Sequence, residues 1–203
     1  MKNIVFEKDC ENIINNTNLN KIKNSKILIL GGNSFFASYI QAVLLMKNCE
    51  ITSISLNNPK GIFKFLKKNK KINFIKLDLN NIKNLQKILK KKYNFIFHCA
   101  TYGQPQKWEG NEHSTINLNT NVVKLILEHS KKFRSRVLFL SSASIYEISK
   151  GKKSLDEDSP LGIGKFVGER FYISSKILGE QLCKIYKEKY NLPIYVARPG
   201  HTY

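Results

Sequence analysis

The sequence has no apolar run approaching the roughly 20 residues that a membrane-spanning helix needs. Its opening, MKNIVFEKDCENIINN, is polar and carries acids, unlike a secretory leader, so a cytoplasmic location is the expectation. Cysteine is sparse. Cys10, Cys49, Cys99 and Cys183 are scattered, with no C-x-x-C pair, which argues against a disulfide framework or a zinc site and for free, mostly buried thiols. Arginine is scarcer than the net charge of +19 suggests, being confined to Arg134, Arg136, Arg170 and Arg198. The lysines are spread over turns and helices (KNSK, KKNKK, KILKKK, KGKK) without interleaved aromatics, in a chain also rich in Asn and Ile. The charge therefore reads as compositional drift, with no specific nucleic-acid partner and only weak attraction to polyanions at low salt. No internal repeat is present.

What remains is an ordinary globular composition, 42% hydrophobic and 24% charged over 203 residues, enough for one sizeable core. Residues 1–25 read as a polar lead-in with an amphipathic turn or two around Cys10–Ile14. From residue 26 onward, apolar β-branched runs alternate with helical spacing. KILILGG, ITSISLNN, INFIKLDL, NFIFHCA, RVLFLSSASIY and LPIYVARP are the predicted strands. Helices are predicted between them, including one long helix over 114–132 and another over 170–190. Trp108 falls in a loop, and His113 and His129 read as helix-surface residues. Alternation of this kind predicts an α/β fold, a doubly wound parallel sheet with helices on both faces. Ligands of such sheets lie beyond the strand C-termini, which directs attention to Gly31–Ala37, Asn57, Asp78, His98–Tyr102, Ser141–Tyr146 and Pro199–Tyr203.

Two of these features carry chemistry. The turn Gly31-Gly32-Asn33-Ser34 leads from a strand into a helix, the geometry that lets backbone N–H groups approach a diphosphate. In FYISSK, Tyr172 and Lys176 stand four apart on one helix face, where an ammonium favours a phenolate and lowers the tyrosine pKa.

These residues, in this order, resemble the extended short-chain dehydrogenase/reductase family, the NAD-dependent epimerase/dehydratase branch that modifies nucleotide sugars. The family's TGGxGFIGS turn reads LGGNSFFAS here, with Gly31 on the first glycine, Ser34 on the second and Ala37 on the third. Serine at the middle position departs from the pattern and is expected to face the diphosphate with its hydroxyl. Asp78 in KLDL, His98-Cys99-Ala100-Thr101, Asn119, the serine run ending at Tyr146, the Tyr172/Lys176 pair and VARPGHTY match further landmarks. The resemblance runs from residue 26 to residue 203, taken as one Rossmann-type dinucleotide-binding domain after the lead-in of residues 1–25. The family's C-terminal substrate lobe is expected to be largely absent.

The resemblance implies a catalytic set of Ser142, Tyr172 and Lys176. It implies a cofactor site of Gly31, Asn33, Ser34, Phe35, Phe36, Asn57, Asp78, Leu79, His98, Ala100, Thr101, Asn119, Tyr172, Lys176 and Pro199. His98 is expected along the cofactor cleft and not as a metal ligand. The implied reaction is oxidation of a sugar hydroxyl, with hydride passing to NAD and Tyr172 taking the proton. A free tyrosine is only about 0.1% ionised at pH 7, and lowering its pKa by about three units takes roughly 4 kcal/mol. NAD is the expected cofactor, although Asn57 and Asn58 stand where an acid would bind the ribose and Lys60 leaves NADP open. Ala143, Ser144 and Ile145 supply no acid after Ser142, which favours epimerisation or simple oxidoreduction. GERFYISSK and RPGHTY nonetheless resemble decarboxylase- and dehydratase-like members of polysaccharide gene clusters. The implied substrate is a nucleotide sugar for surface-polysaccharide biosynthesis. A homodimer through the long helices is a further expectation. The alternative is a shortened or non-catalytic dinucleotide-binding module.

Overall fold

Six short apolar runs pair in parallel into one sheet, of order β3-β2-β1-β4-β5-β6. The strands of this computed structural model are β1 Lys26–Leu30, β2 Glu50–Ser55, β3 Ile72–Lys76, β4 Phe95–His98, β5 Arg136–Leu140 and β6 Ile194–Ala197. The helices are α1 Ile4–Asn15, α2 Phe35–Met46, α3 Lys64–Lys68, α4 Ile82–Ile88, α5 Glu112–Asn119, α6 Asn121–Phe133 and α7 Val167–Tyr190. The structure describes residues 4–59, 64–102, 107, 109–146, 155–164 and 167–200. Lys60, Trp108 and the final three residues, singled out above, lie outside them.

Strand alternation divides the core. Ile27 and Ile29 of β1 point to one face, where they join Phe6 and Cys10 of α1, Val43 of α2 and Leu66 of α3. Leu28 and Leu30 point to the other, packed with Leu85, Leu118, Ile126 and Cys183 of α4 to α7. Both faces of β1 are thus dry, which is why KILIL is apolar nearly throughout and not alternating. All four cysteines are buried and free, and no cluster of potential metal ligands occurs among the described residues. No helix among them is long and apolar enough to cross a membrane.

Three features differ from the sequence reading. The lead-in forms a 12-residue helix, α1, rather than a turn or two, because Phe6 and Cys10, one turn apart, find a hydrophobic surface on α2. The long helix expected over 114–132 is two helices, parted at Thr120 (φ −122°, ψ −72°). There the Thr120 hydroxyl donates to the Ile116 carbonyl at 2.7 Å, which also accepts the Thr120 amide at 2.9 Å, a back-bonding that bends helices. Lastly, His129 is buried instead of lying on the surface. Its Nε2 meets the Lys91 carbonyl at 2.8 Å, and its Nδ1 lies 3.2 Å from Ser135 Oγ, so the ring ties the end of α6 to the approaches of β4 and β5.

Helix α7 sits unusually close to α5. A Cβ on Gly179 would come within 2.6 Å of the Asn119 carbonyl oxygen and 2.8 Å of the Phe139 ring. Glycine normally weakens a helix interior. Here it permits an approach that sets Tyr172 and Lys176, on the same helix, against the ends of β4 and β5.

Candidate dinucleotide and catalytic site

The strand order reverses between β1 and β4, and the crevice this opens lies above Gly31 and Ala100. Gly31 has φ +83°, and a Cβ there would strike Ala100 at 2.5 Å, so two separate demands require glycine. The chain then rises into α2, whose N-cap is Ser34. Its hydroxyl accepts from the Ala37 amide at 3.3 Å. The serine therefore does not simply present its hydroxyl to a diphosphate. It satisfies one of the amides at a helix start, which otherwise lack intrahelical partners.

Asn33 donates through Nδ2 to the Asn57 carbonyl, and Ser55 Oγ donates to the same oxygen at 2.6 Å. The β1 and β2 ends are thereby fixed together. Asn33 Oδ1 is buried without a partner, an orphan acceptor beside the glycine turn. Phe35 and Phe36 open α2, with Phe35 exposed. Further along the rim, Asp78 accepts from the Asn80 amide at 2.9 Å and from its side chain at 3.0 Å, and Asn80 in turn accepts from Asn117 of α5 at 2.7 Å. Leu79 is buried beneath them. These residues fit a dinucleotide along the strand ends: a close-packed glycine turn, a helix start, an unsatisfied acceptor and an exposed carboxylate beyond β3.

The catalytic candidates meet on the other side of the crevice. Ser142 follows β5 and caps a short 3-10 turn, Ala143–Ile145, by accepting from the Ser144 amide at 3.1 Å. That bond uses an oxygen lone pair and leaves the hydroxyl proton to donate elsewhere. The Tyr172 phenol lies between Ser142 and Thr101. Burial pushes its pKa above the ordinary value, while the two hydroxyls pull it down, and burial prevails. Thr101 Oγ1 is itself buried and lacks a hydrogen bond of full geometry. Lys176, only 1% exposed, donates to the Leu140 carbonyl at 2.6 Å and stands 5.8 Å from the Tyr172 ring centroid. Burial lowers the Lys176 pKa to about 7. The direction expected for the tyrosine is thus reversed, because burial outweighs the two hydroxyls that favour the phenolate.

Two residues assigned to the cofactor lie behind this surface. Asn119, fully buried, donates to Ser175 Oγ at 2.9 Å, which in turn donates to the Tyr172 carbonyl at 2.8 Å, so it supports the backbone of α7 beside the tyrosine. His98 Nε2 meets the Leu118 carbonyl at 2.8 Å. Burial, reinforced by Lys176, lowers the His98 pKa to about 4. The unfolded chain takes up a proton at this residue near pH 6.5, whereas the folded chain does so only near 4. Stability should therefore fall as the pH drops through that window. His129, also lowered by burial, acts in the same sense. Urea unfolding midpoints between pH 4.5 and 7 should show a shallower slope in His98→Gln, which keeps a donor toward Leu118. An unchanged slope would place the acid sensitivity elsewhere.

One constellation was not anticipated. Arg198, just beyond β6 and only partly buried, pairs with the buried Glu180 (Nη2 to Oε2 2.6 Å, Nε to Oε1 3.0 Å). Its Nη1 donates to the Tyr146 hydroxyl and to the Glu157 carbonyl, each at 2.8 Å. A cleft of about 550 Å³ opens beside it, lined among others by Ala143, Tyr146, Asp156 and Glu157. The signal was available in the sequence, since Tyr172, Lys176 and Glu180 succeed one another at i+4. The Ala143 amide donates to the Pro199 carbonyl at 3.0 Å, so the turn holding Ser142 is tied to the β6 end twice.

A parallel sheet whose strand order reverses over a glycine turn, flanked by helices, is a Rossmann-type α/β fold. The family model described as the NAD dependent epimerase/dehydratase family matches residues 27–203, and the chain belongs to that family. The bifunctional polymyxin resistance protein ArnA of Wigglesworthia glossinidia brevipalpis is 29% identical over 185 residues, covering 90% of this chain and 28% of that protein. Among solved structures, UDP-glucuronic acid 4-epimerase from Bacillus cereus in complex with NAD superposes with a TM-score of 0.72 at 24% identity, covering 88% of this chain and 57% of that one. UDP-N-acetylglucosamine 4-epimerase from Methanobrevibacter ruminantium gives 0.72 at 22% identity, covering 87% and 55%. The chain thus spans little more than half the length of the structures it resembles.

Proposed function

We propose that this chain is the nucleotide-binding and catalytic half of an NAD-dependent enzyme that oxidises a hydroxyl of a nucleotide sugar, in the biosynthesis of surface-polysaccharide sugars. The observation that carries the reading is the convergence of Ser142, Thr101 and Tyr172 beside Lys176 at the crevice. NAD, when bound, supplies the hydride acceptor. Tyr172 takes the hydroxyl proton, and Ser142, its own oxygen held by the Ser144 amide, donates to the same substrate oxygen. Lys176 holds the ribose and, once charged, favours the phenolate. Gly31, the Asn33 backbone amide and the start of α2 receive the diphosphate, and Asp78 and Asn57 flank the adenosine. With no acid at 143–145, epimerisation or simple oxidoreduction is favoured over dehydration.

A second copy is the proposed partner. Phe171, Leu178 and Ile185 recur every seven residues on α7, all exposed, an apolar stripe suited to helix pairing. A second reading, a dinucleotide-binding module without turnover, is favoured by one observation. The phenol pKa is raised and the lysine pKa lowered, opposite to what a poised base needs.

Calorimetric titration with NAD⁺ and NADP⁺, in salt high enough to screen the lysines, tests the shared part of both readings. Saturable binding of NAD⁺ is expected, with NADP⁺ weaker. Binding of neither would overturn both.

A further inference from the structure

The family match begins at residue 27, yet α1, which precedes it, is bonded to the helix that opens the dinucleotide site. Phe6 is buried against Tyr39 of α2, with ring centroids 4.7 Å apart, and against Phe65 of α3 at 5.7 Å. Asp9 accepts a hydrogen bond from the Tyr39 hydroxyl at 3.0 Å. Tyr39 in turn meets Phe35, one helical turn earlier, at 5.0 Å with the rings tilted by 56°, and Phe35 meets Phe36 edge-on at 5.8 Å. Phe35 and Phe36 are the first two residues of α2, immediately after the capping Ser34. An unbroken line of contacts therefore runs from α1 to the amides that would face a diphosphate.

We infer that α1 is a clamp on the first turn of α2, acting through Asp9, Tyr39 and Phe35, and that it sets how tightly the dinucleotide is held. The inference rests on the dinucleotide reading above and adds a positioning element to it. Helix starts fray unless held, because their first amides lack intrahelical partners. Here Ser34 holds one amide by a 3.3 Å bond, at the long end of the range. Phe35 is 46% exposed, so nearly half of its surface is open to solvent rather than packed. Tyr39 supplies an anchor, and the Asp9 bond fixes its ring. Residues that hold an anion-binding helix start in its bound geometry reduce the ordering cost of binding.

The test uses the full chain with Asp9→Ala, which removes the acceptor, and Asp9→Asn, which restores one. Two quantities are read: amide hydrogen exchange at Ala37 and Ser38 against Val43 and Leu44, and NAD⁺ affinity. Asp9→Ala should speed exchange at Ala37 and Ser38 about fivefold, as expected for losing about 1 kcal/mol of local restraint, with Val43 and Leu44 unchanged. NAD⁺ binding should weaken by a similar factor, and Asp9→Asn should recover most of both. Uniform acceleration along α2, or none, would overturn the clamp, since a merely structural role would loosen the whole helix. Normal affinity with local loosening would overturn its link to the cofactor. Absence of NAD⁺ binding by the unaltered chain would sink the dinucleotide reading, while the exchange pattern still decides whether α1 clamps α2.

Discussion

Replacing Arg198 by Met should cost about 3 kcal/mol of stability, the lower part of the range for leaving a buried charge without its partner. For a chain of this size that is a fall in Tm of roughly 6–12 °C. The reason is what remains. Glu180 is almost fully buried, and its carboxylate would lose the Nε and Nη2 bonds at once. The Tyr146 hydroxyl and the Glu157 carbonyl would also lose their donor. The double variant Glu180→Leu, Arg198→Met should recover much of the loss, because it removes the uncompensated charge together with its partner. Thermal unfolding of the two single variants and the double closes the cycle. A single Arg198→Met within 0.5 kcal/mol of the parent, on the order of an unremarkable surface change, would show that Glu180 finds water instead. The guanidinium is held charged by its bonds to Glu180 and Tyr146.

Tyr172→Phe should abolish turnover of a nucleotide sugar, by a factor on the order of 10²–10⁴ if the phenol is the general base. NAD⁺ affinity should change little, since the ring stays between Ser142 and Thr101 and only the hydroxyl is lost. Steady-state kinetics and calorimetry on the same preparation separate the two. Retained turnover would assign the base elsewhere. A second measurement addresses the reversed pKa. Ultraviolet titration of the unliganded chain should find no tyrosine ionising below the ordinary value at this site. Addition of NAD⁺ should draw one downward, as a charge placed beside the phenol offsets its desolvation.

The sheet was legible because doubly covered strands announce themselves as unbroken apolar runs, and KILIL or RVLFL admits little else. The crevice was legible because glycines, a serine run and the Tyr172/Lys176 spacing fall at strand ends or on a helix face. What the sequence could not supply was burial. His129 looked like a surface residue because helical periodicity says which side it faces, but not that the approaches to β4 and β5 close over that side. Thr120 looked like any helical residue, since only its bond to Ile116 marks the break. Lys176 and Tyr172 could be paired from spacing, whereas the balance between their attraction and their desolvation depends on how deep they lie. Helix α1 was missed for the same reason. Phe6 and Cys10 make a narrow apolar stripe whose value appears only once α2 and α3 are in place.

The sheet ends at β6, with Tyr195 (55% exposed) and Val196 (39%) on opposite faces of its last strand. On one of those faces Phe97, Leu138 and Tyr195 border an open, almost wholly apolar groove of about 240 Å³. A strand edge that no described strand covers, flanked by apolar surface, is a template for adding further strands. The lysines that seemed only a matter of composition acquire a colloidal role here: a net charge of +19 keeps neighbouring chains at a distance. That repulsion reaches only about 10 Å at 0.1 M ionic strength and about 3 Å at 1 M. Salt, which weakens any stray hold on polyanions, thereby removes the barrier to self-adhesion, and the ionic strength at which the molecule is least sticky lies between the two extremes.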